Sequence, residues 1–129
     1  MVTRIAYLGP HGTFTEAALL QMAAAGSVPQ GDPQPVSVDS AAAALDAVRD
    51  GSAEYACVPI ENSIDGSVTP TLDSLAIGTP LQVFAEIILA VAFSIVVRPG
   101  RPMADVATVA AHPVAAAQVK RWLAAELPA

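Results

Sequence analysis

The sequence predicts an α/β fold built on a parallel sheet, and three observations carry that reading. Apolar runs of strand length recur at residues 5–8, 36–38 and 55–60. Ala-rich windows of helix-forming residues separate them, at 13–25 and 40–50. A glycine closes each window, Gly26 and Gly51, where a helix commonly gives way to a left-handed residue. Strands and helices alternating in this order are the pattern of right-handed crossovers on a parallel sheet.

Each element has a local reason. Ile5-Ala6-Tyr7-Leu8 is stopped by Gly9-Pro10, and Thr13 then stands where a side-chain oxygen caps the following helix. Residues 31–35, with Gly31, Pro33 and Pro35, read as a connector before a brief strand at Val36-Ser37-Val38. Asp39 or Ser40 caps the second helix. The third strand starts at Tyr55, and beyond Ile60 the chain turns polar over residues 61–71, with Gly66 and Pro70 as turn residues. Residues 72–77 have room for one or two helical turns before Gly78-Thr79-Pro80. The apolar stretch 81–97 is too long for one strand of the usual ~5–6 residues, so two strands or one bent strand crossing between lobes is expected. Arg98-Pro99-Gly100-Arg101-Pro102 is a loop, and residues 106–110 are a further strand. Residues 114–127 form a helix whose Val119, Trp122, Leu123 and Leu127 share a face, with Pro113 suited to its first turn.

Composition narrows the function. A chain of 129 residues has the size of one domain and needs no covalent staples to fold. Its single cysteine, Cys57, excludes an internal disulfide, and with His11 and His112 it falls short of a Cys/His metal site. Neither a metal nor a cofactor is expected. With 53% hydrophobic and 14% charged residues, against ~25% charged in ordinary domains, the chain is not disordered. Six basic against twelve acidic residues give a net charge of −6, and the longest basic run is Lys120-Arg121. That excludes nucleic acid and anionic membranes as natural partners. Glu86 and Arg98 cut the apolar stretch below the ~20 residues a bilayer span requires. Met1-Val2-Thr3-Arg4 leads to a Gly-Pro turn instead of an apolar signal core, so the expected compartment is the cytoplasm.

Two segments carry candidate chemistry. Gly9-Pro10-His11-Gly12-Thr13 lies between a strand and a helix, where unpaired N–H groups of the first turn suit an anion. It lacks the Gly-Lys-Ser/Thr of a phosphate-binding loop, and a plain βα turn capped by Thr13 fits it as well. Glu61-Asn62-Ser63 follows the third strand, and the carboxyl ends of parallel strands are where open α/β folds bind ligands. It offers a carboxylate, an amide and a hydroxyl, with Gly66 allowing close backbone approach. An Asx or Ser turn satisfying its own backbone is the competing reading. His112 at a helix start either donates to a ligand or covers the helix end. Cys57 sits in an apolar run with no basic neighbour and reads as an inert buried thiol. Asp65 and Asp73 with Glu61 have no metal or glycosidase spacing and read as a solvated loop.

Taken together, these segments resemble the N-terminal part of the prephenate dehydratase family. The first motif, Gly9-Pro10-His11-Gly12-Thr13-Phe14-Thr15, is similar to the family's Gly-Pro-x-Gly-Thr-Phe-Ser/Thr opening. The second, Val58-Pro59-Ile60-Glu61-Asn62-Ser63-Ile64-Asp65-Gly66-Ser67-Val68 continuing to Thr71-Leu72-Asp73, is long and specific. His112-Pro113 with Gln118 is a weaker third match, to Ser-His-Pro-Gln-Ala-Leu-x-Gln. The chain departs from the family at Ala90, where Pro is usual, at Phe93, where His is usual, and at Ala111 and Val114, where Ser and Gln are usual.

The resemblance implies a fold and an activity. The fold is a catalytic region of two α/β lobes, like a type II periplasmic binding protein, with parallel-sheet lobes carrying helices on both faces. Residues 1–79 then form the first lobe, and residues 80–129 the crossover and an incomplete second lobe. The activity is a carbon–oxygen lyase reaction of phenylalanine biosynthesis, in which prephenate loses water and carbon dioxide to give phenylpyruvate, with no cofactor. Pro10, Gly12, Thr13, Phe14, Asn62, Ser63 and Gly66 are the substrate-binding residues it implies, with His112 a weaker one. Glu61 is a structural residue accepting backbone N–H groups, or else an acid. The family's catalytic threonine, in a Thr-Arg-Phe segment, and its phenylalanine-binding ACT domain have no counterpart in this sequence, so the chain is expected to be an inactive fragment. An incomplete second lobe leaves strand edges and apolar surface around residues 91–97, so a homo-oligomer is expected. The competing function is a small-molecule binding module for carboxylates that performs no chemistry.

Overall fold

A computed structural model describes residues 1–28 and 31–127. They fall into two compact units, Met1–Ala90 and Val91–Ala129. In the first, β1 (Val2–Leu8) lies between β2 (Asp32–Val38) and β3 (Tyr55–Cys57) in a parallel sheet of order β2-β1-β3. Ile5 sits opposite Pro35 on one side and Tyr55 on the other. The crossovers are α1 (Phe14–Ala24) and α2 (Ala41–Arg49), as the alternation of the sequence predicts.

The core follows from β1 being central. Successive strand residues point to opposite faces. Ile5 and Tyr7 therefore pack with Leu19 of α1 and with Cys57, while Ala6 packs on the other face with Ala44 of α2 and with Ala53. Helices thus cover both faces of the sheet. Ala6 and Ala44 have no exposed surface, so α2 approaches the sheet through small side chains. Both helices start on side-chain caps. The Glu16 N–H donates to Thr13 Oγ1 and the Ala43 N–H to Ser40 Oγ, which decides between Asp39 and Ser40 in favour of the serine.

Three local expectations change. Residues 32–35 belong to β2 and are not a connector. Asp32 and Val38 share one parity and both bond toward β1, through the Asp32 N–H to Met1 O and the Gly9 N–H to Val38 O. Pro33 and Pro35 have the other parity, so their missing N–H groups face the sheet's open edge and cost no ladder bond. The third strand stops at Cys57, three residues short of Ile60. Residues 61–67 then form a small antiparallel hairpin, β4 (Glu61–Asn62) with β5 (Gly66–Ser67), followed by α3 (Thr69–Ala76).

The third change is the largest. Residues 81–97 are not in any strand, nor are residues 106–110. A strand needs a neighbour's N–H and C=O groups, and no sheet among the described residues includes this stretch. The strand-like period survives without the ladder. Half-buried Ala85, Ile87 and Leu89 alternate with exposed Phe84, Glu86, Ile88 and Ala90. Phe84 meets Tyr55 edge-on, with ring centroids 5.2 Å apart.

The second unit holds a 3-10 turn, Met103–Asp105, and α4 (Pro113–Glu126). None of its described residues is buried. Val119, Leu123 and Leu127 are half-buried along the predicted apolar face of α4, whereas Trp122 is exposed. The last two positions of the 80–129 segment lie outside the described residues.

Candidate functional site

Both candidate segments leave the carboxyl ends of neighbouring strands, β1 and β3. The first is the turn from Leu8 to Phe14. Its backbone reverses through a cis Gly9-Pro10 bond and through Gly12, whose φ of 87° is natural only to glycine. Gly9 lies so close to β2 that a Cβ there would collide with the Ser37 side chain. Thr13 works twice, donating from its hydroxyl to Leu8 O at 3.0 Å and accepting the Glu16 N–H at 3.4 Å. Pro10, Gly12 and Phe14 are exposed and Thr13 half-buried, so this turn presents its surface outward.

The organising group of the turn is Glu16, a residue that sequence reasoning passed over. Its carboxylate is buried at the start of α1 and collects three donors. The Gly12 N–H reaches Oε2 at 2.7 Å, while His11 Nδ1 and the Tyr7 hydroxyl reach Oε1 at 2.7 and 3.1 Å. The Gly12 N–H holds the carboxyl below the ordinary glutamate range, with further help from His11 and Tyr7 and against the opposing effect of burial. Burial, and then the hydrogen bond to Glu16, pushes the Tyr7 phenol up, so it stays a donor. The signal was present in the sequence as Thr13-Phe14-Thr15-Glu16, the Thr-x-x-Glu signature of a capping box. Here the glutamate reaches one residue beyond the cap, to Gly12. One backbone donor of the turn is therefore already taken by an internal anion.

The second segment is a self-contained turn. The Val68 N–H donates to Ile60 O at 2.9 Å, and the fully buried Thr71 hydroxyl donates to Pro59 O at 2.7 Å. Glu61 and Ser67 pair across the hairpin, as do Asn62 and Gly66, and Gly66 supplies the left-handed φ of 82°. Asn62 Oδ1 accepts the N–H groups of Ile64 and Asp65 at 2.8 and 3.2 Å. That is the backbone-shaping work expected of Glu61. The Glu61 carboxylate is instead exposed and has no side-chain hydrogen bond among the described residues. Asn62 is half-buried, and Ser63, Asp65 and Gly66 are exposed on the same turn. With Oδ1 committed, the Asn62 amide still has its two N–H donors.

The remaining candidates have plainer places. His112 caps α4, its Nδ1 accepting the Val114 N–H at 3.3 Å. Cys57 is buried, its thiol pushed up to about 11 by burial and lying 3.7 Å from Thr15 O. Among the described residues, no three His, Cys, Asp or Glu side chains gather as a metal site, and no helix is long and apolar enough to cross a membrane. An open hollow of about 640 Å³ between Val97 and Thr108 includes none of the residues singled out from the sequence.

Comparison with known proteins adds to this geometry. A family profile described as prephenate dehydratase matches residues 5–129. Proteins named prephenate dehydratase from Mycobacterium ulcerans and Mycobacterium marinum are each 72% identical over 130 residues, 98% of this chain. One from Mycobacterium tuberculosis strain H37Rv is 72% identical over 131 residues, 99% of this chain. The chain spans 41% of the length of these relatives. No solved structure matches it. Both glycine-marked turns lie inside the matched region, and the match extends from the first strand through α4: the chain belongs to the prephenate dehydratase family.

Proposed function

We propose that this chain supplies a substrate-binding part of a prephenate dehydratase, which converts prephenate to phenylpyruvate with loss of water and carbon dioxide. The observation that carries the reading is the 72% identity across 98% of the chain to proteins of that name. The hairpin motif supports it, because its hydrogen bonds fix a turn, following the carboxyl end of β3, in which the Asn62 amide donors are uncommitted and Ser63 is exposed. Breaking the carbon–carbon bond to the departing carboxylate supplies the electron pair that aromatises the ring as the hydroxyl leaves with a proton. Backbone and amide donors suit the anionic and hydroxyl groups of prephenate, and apolar surroundings favour release of neutral carbon dioxide.

In this reading Pro10, Gly12, Thr13, Phe14, Asn62, Ser63 and Gly66 line the substrate, and His112 is a secondary contact. Residues 1–79 form the first lobe of a fold like a type II periplasmic binding protein, and residues 80–129 the crossover and part of a second lobe. The proton reaches the leaving hydroxyl from the threonine of a Thr-Arg-Phe segment, which this sequence does not contain. The chain spans 41% of the length of its relatives, and turnover in this reading belongs to a protein of their length in the cytoplasm, a homo-oligomer in which phenylalanine binds an ACT domain.

A hybrid tests the proposal. This chain replaces the aligned 131 residues of the Mycobacterium tuberculosis relative, and phenylpyruvate formation from prephenate is followed by absorbance. Turnover by the hybrid is expected, and none by this chain alone. A folded hybrid without turnover overturns the reading, and turnover by the chain alone overturns the place given to the threonine.

A further inference from the structure

The first unit contains three side chains able to carry positive charge, Arg4, Arg49 and His11. Two are committed. Arg4 is paired with Glu54 and donates to Gly51 O, and Arg49 binds Asp46, Ser74 and the carbonyls of Ile77 and Thr79. His11 alone lies at the carboxyl end of the sheet, in the turn that leaves β1, with its side chain 89% exposed.

The Glu16 contact decides what that ring offers. An ionised carboxylate only accepts hydrogen bonds, so the His11 nitrogen 2.7 Å from Glu16 Oε1, Nδ1, carries a proton. Nε2 is then the free nitrogen. In the cation it presents an N–H donor with charge, and in the neutral ring it presents a lone pair. Glu16 fixes the ring's tautomer and direction, as a carboxylate behind a histidine does in metal sites and hydrolases. Its own charge is buried and already answered by the Gly12 N–H and the Tyr7 hydroxyl. A ligand therefore meets the outward Nε2 edge of the ring and not the carboxylate.

We propose that His11 binds a carboxylate of the substrate through Nε2–H, and that Glu16 is the positioning residue that aims it. The inference rests on the prephenate reading above and adds two residues to it. A dianion approaching a chain of net charge −6 meets general repulsion, and the Nε2–H of the protonated ring, beside the donors of the βα turn, offsets it where binding occurs. The start of α1 adds its partial positive charge at the same place.

The test is prephenate titration of the 129-residue chain, labelled with ¹⁵N, reading backbone amides and histidine ring nitrogens by NMR. In the unaltered chain the amides of Gly9, of residues 11–14 and of residues 61–67 move, and so does the His11 Nε2 resonance. His11→Asn weakens binding about tenfold, the size of one lost charge-assisted hydrogen bond. His11→Lys, which restores charge at a point open to solvent, recovers most of that loss. Glu16→Gln weakens binding about threefold and shifts the His11 Nδ1 resonance before any ligand is added, which a purely structural glutamate distant from the ring would not do. Prephenate that moves both turns while binding His11→Asn as tightly as the unaltered chain overturns the role of His11 and leaves the substrate reading standing. If no amide of either turn responds at about 10 mM prephenate, where even a millimolar site is mostly filled, the prephenate reading and this inference both fall.

Discussion

At the scale of single residues, the β1–α1 turn depends on one carboxylate. Glu16 is depressed in the folded state, so its contribution to stability is complete above the ordinary glutamate value of about 4.3 and is lost as pH falls below it. Glu16→Gln is therefore expected to lower the melting temperature at pH 7. The gap to the unaltered chain narrows as acid protonates the native glutamate, and thermal melts followed by circular dichroism across pH 3–7 check this. A gap that does not change with pH would mean that shape, not charge, is what Glu16 contributes. Asn62 allows a sharper separation, because its two ends do different things. Its Oδ1 holds the Ile64 and Asp65 N–H groups, and its Nδ2 donors remain available. Asn62→Asp keeps the acceptor and removes the donors, so the turn survives while prephenate binding weakens about tenfold, the worth of one hydrogen bond of ~1.4 kcal/mol. Asn62→Ala loses turn and binding together. Amide spectra of residues 61–67 with and without prephenate tell the two apart, and unchanged binding by Asn62→Asp removes the amide from the site.

At the scale of elements, what was legible in the sequence was whatever local chemistry decides. Thr13 and Ser40 cap, and Gly26 and Gly51 take the left-handed positions after α1 and α2, because those residue types answer a need within a few positions along the chain. Pro33 and Pro35 misled, since their cost depends on which side of β2 faces a neighbour, and that is settled only by pairing with β1. Glu61 drew attention as the acid of a long motif, yet the motif's length reflects its internal bonds. Thr71 reaches back twelve residues to Pro59, and Val68 reaches back to Ile60. Thr71→Val, nearly equal in volume, leaves the Pro59 carbonyl without its partner and is expected to cost about 1–3 kcal/mol in denaturant unfolding. Arg49→Ala tests the neighbouring joint. Its guanidinium binds Ser74 O at 2.6 Å and Ile77 O at 2.9 Å, carbonyls at the end of α3, so its loss also costs about 1–3 kcal/mol and speeds amide exchange in α3 before α2. Equal exchange in both helices would show that α3 does not depend on that arginine.

For the whole molecule, the apolar stretch after α3 is the feature with the widest consequence. Composition alone read it as strand, and its alternation over residues 84–90 has the strand period, but the partner that would turn period into ladder is not among the described residues. Propensity proposes a strand and pairing makes one. Ile88 is 96% exposed and Val96 is 90% exposed, and Val83, Phe84, Val91, Phe93 and Val97 are exposed nearby in sequence. Exposed apolar side chains this frequent along one stretch of sequence, on extended backbone outside any sheet of the described residues, invite pairing with another chain. The isolated chain is therefore expected to self-associate with rising concentration, and sedimentation velocity over a hundredfold concentration range, about two decades, should show it. Ile88→Lys and Val96→Lys place a charge on that surface without touching the core, so each should shift the equilibrium toward monomer while leaving unfolding of the isolated species within about 0.5 kcal/mol. If both variants associate as the unaltered chain does, the contact lies elsewhere. If the unaltered chain remains a monomer throughout, exposure of these residues is not sufficient to drive association, and the oligomer proposed for the longer protein must be built from other surfaces.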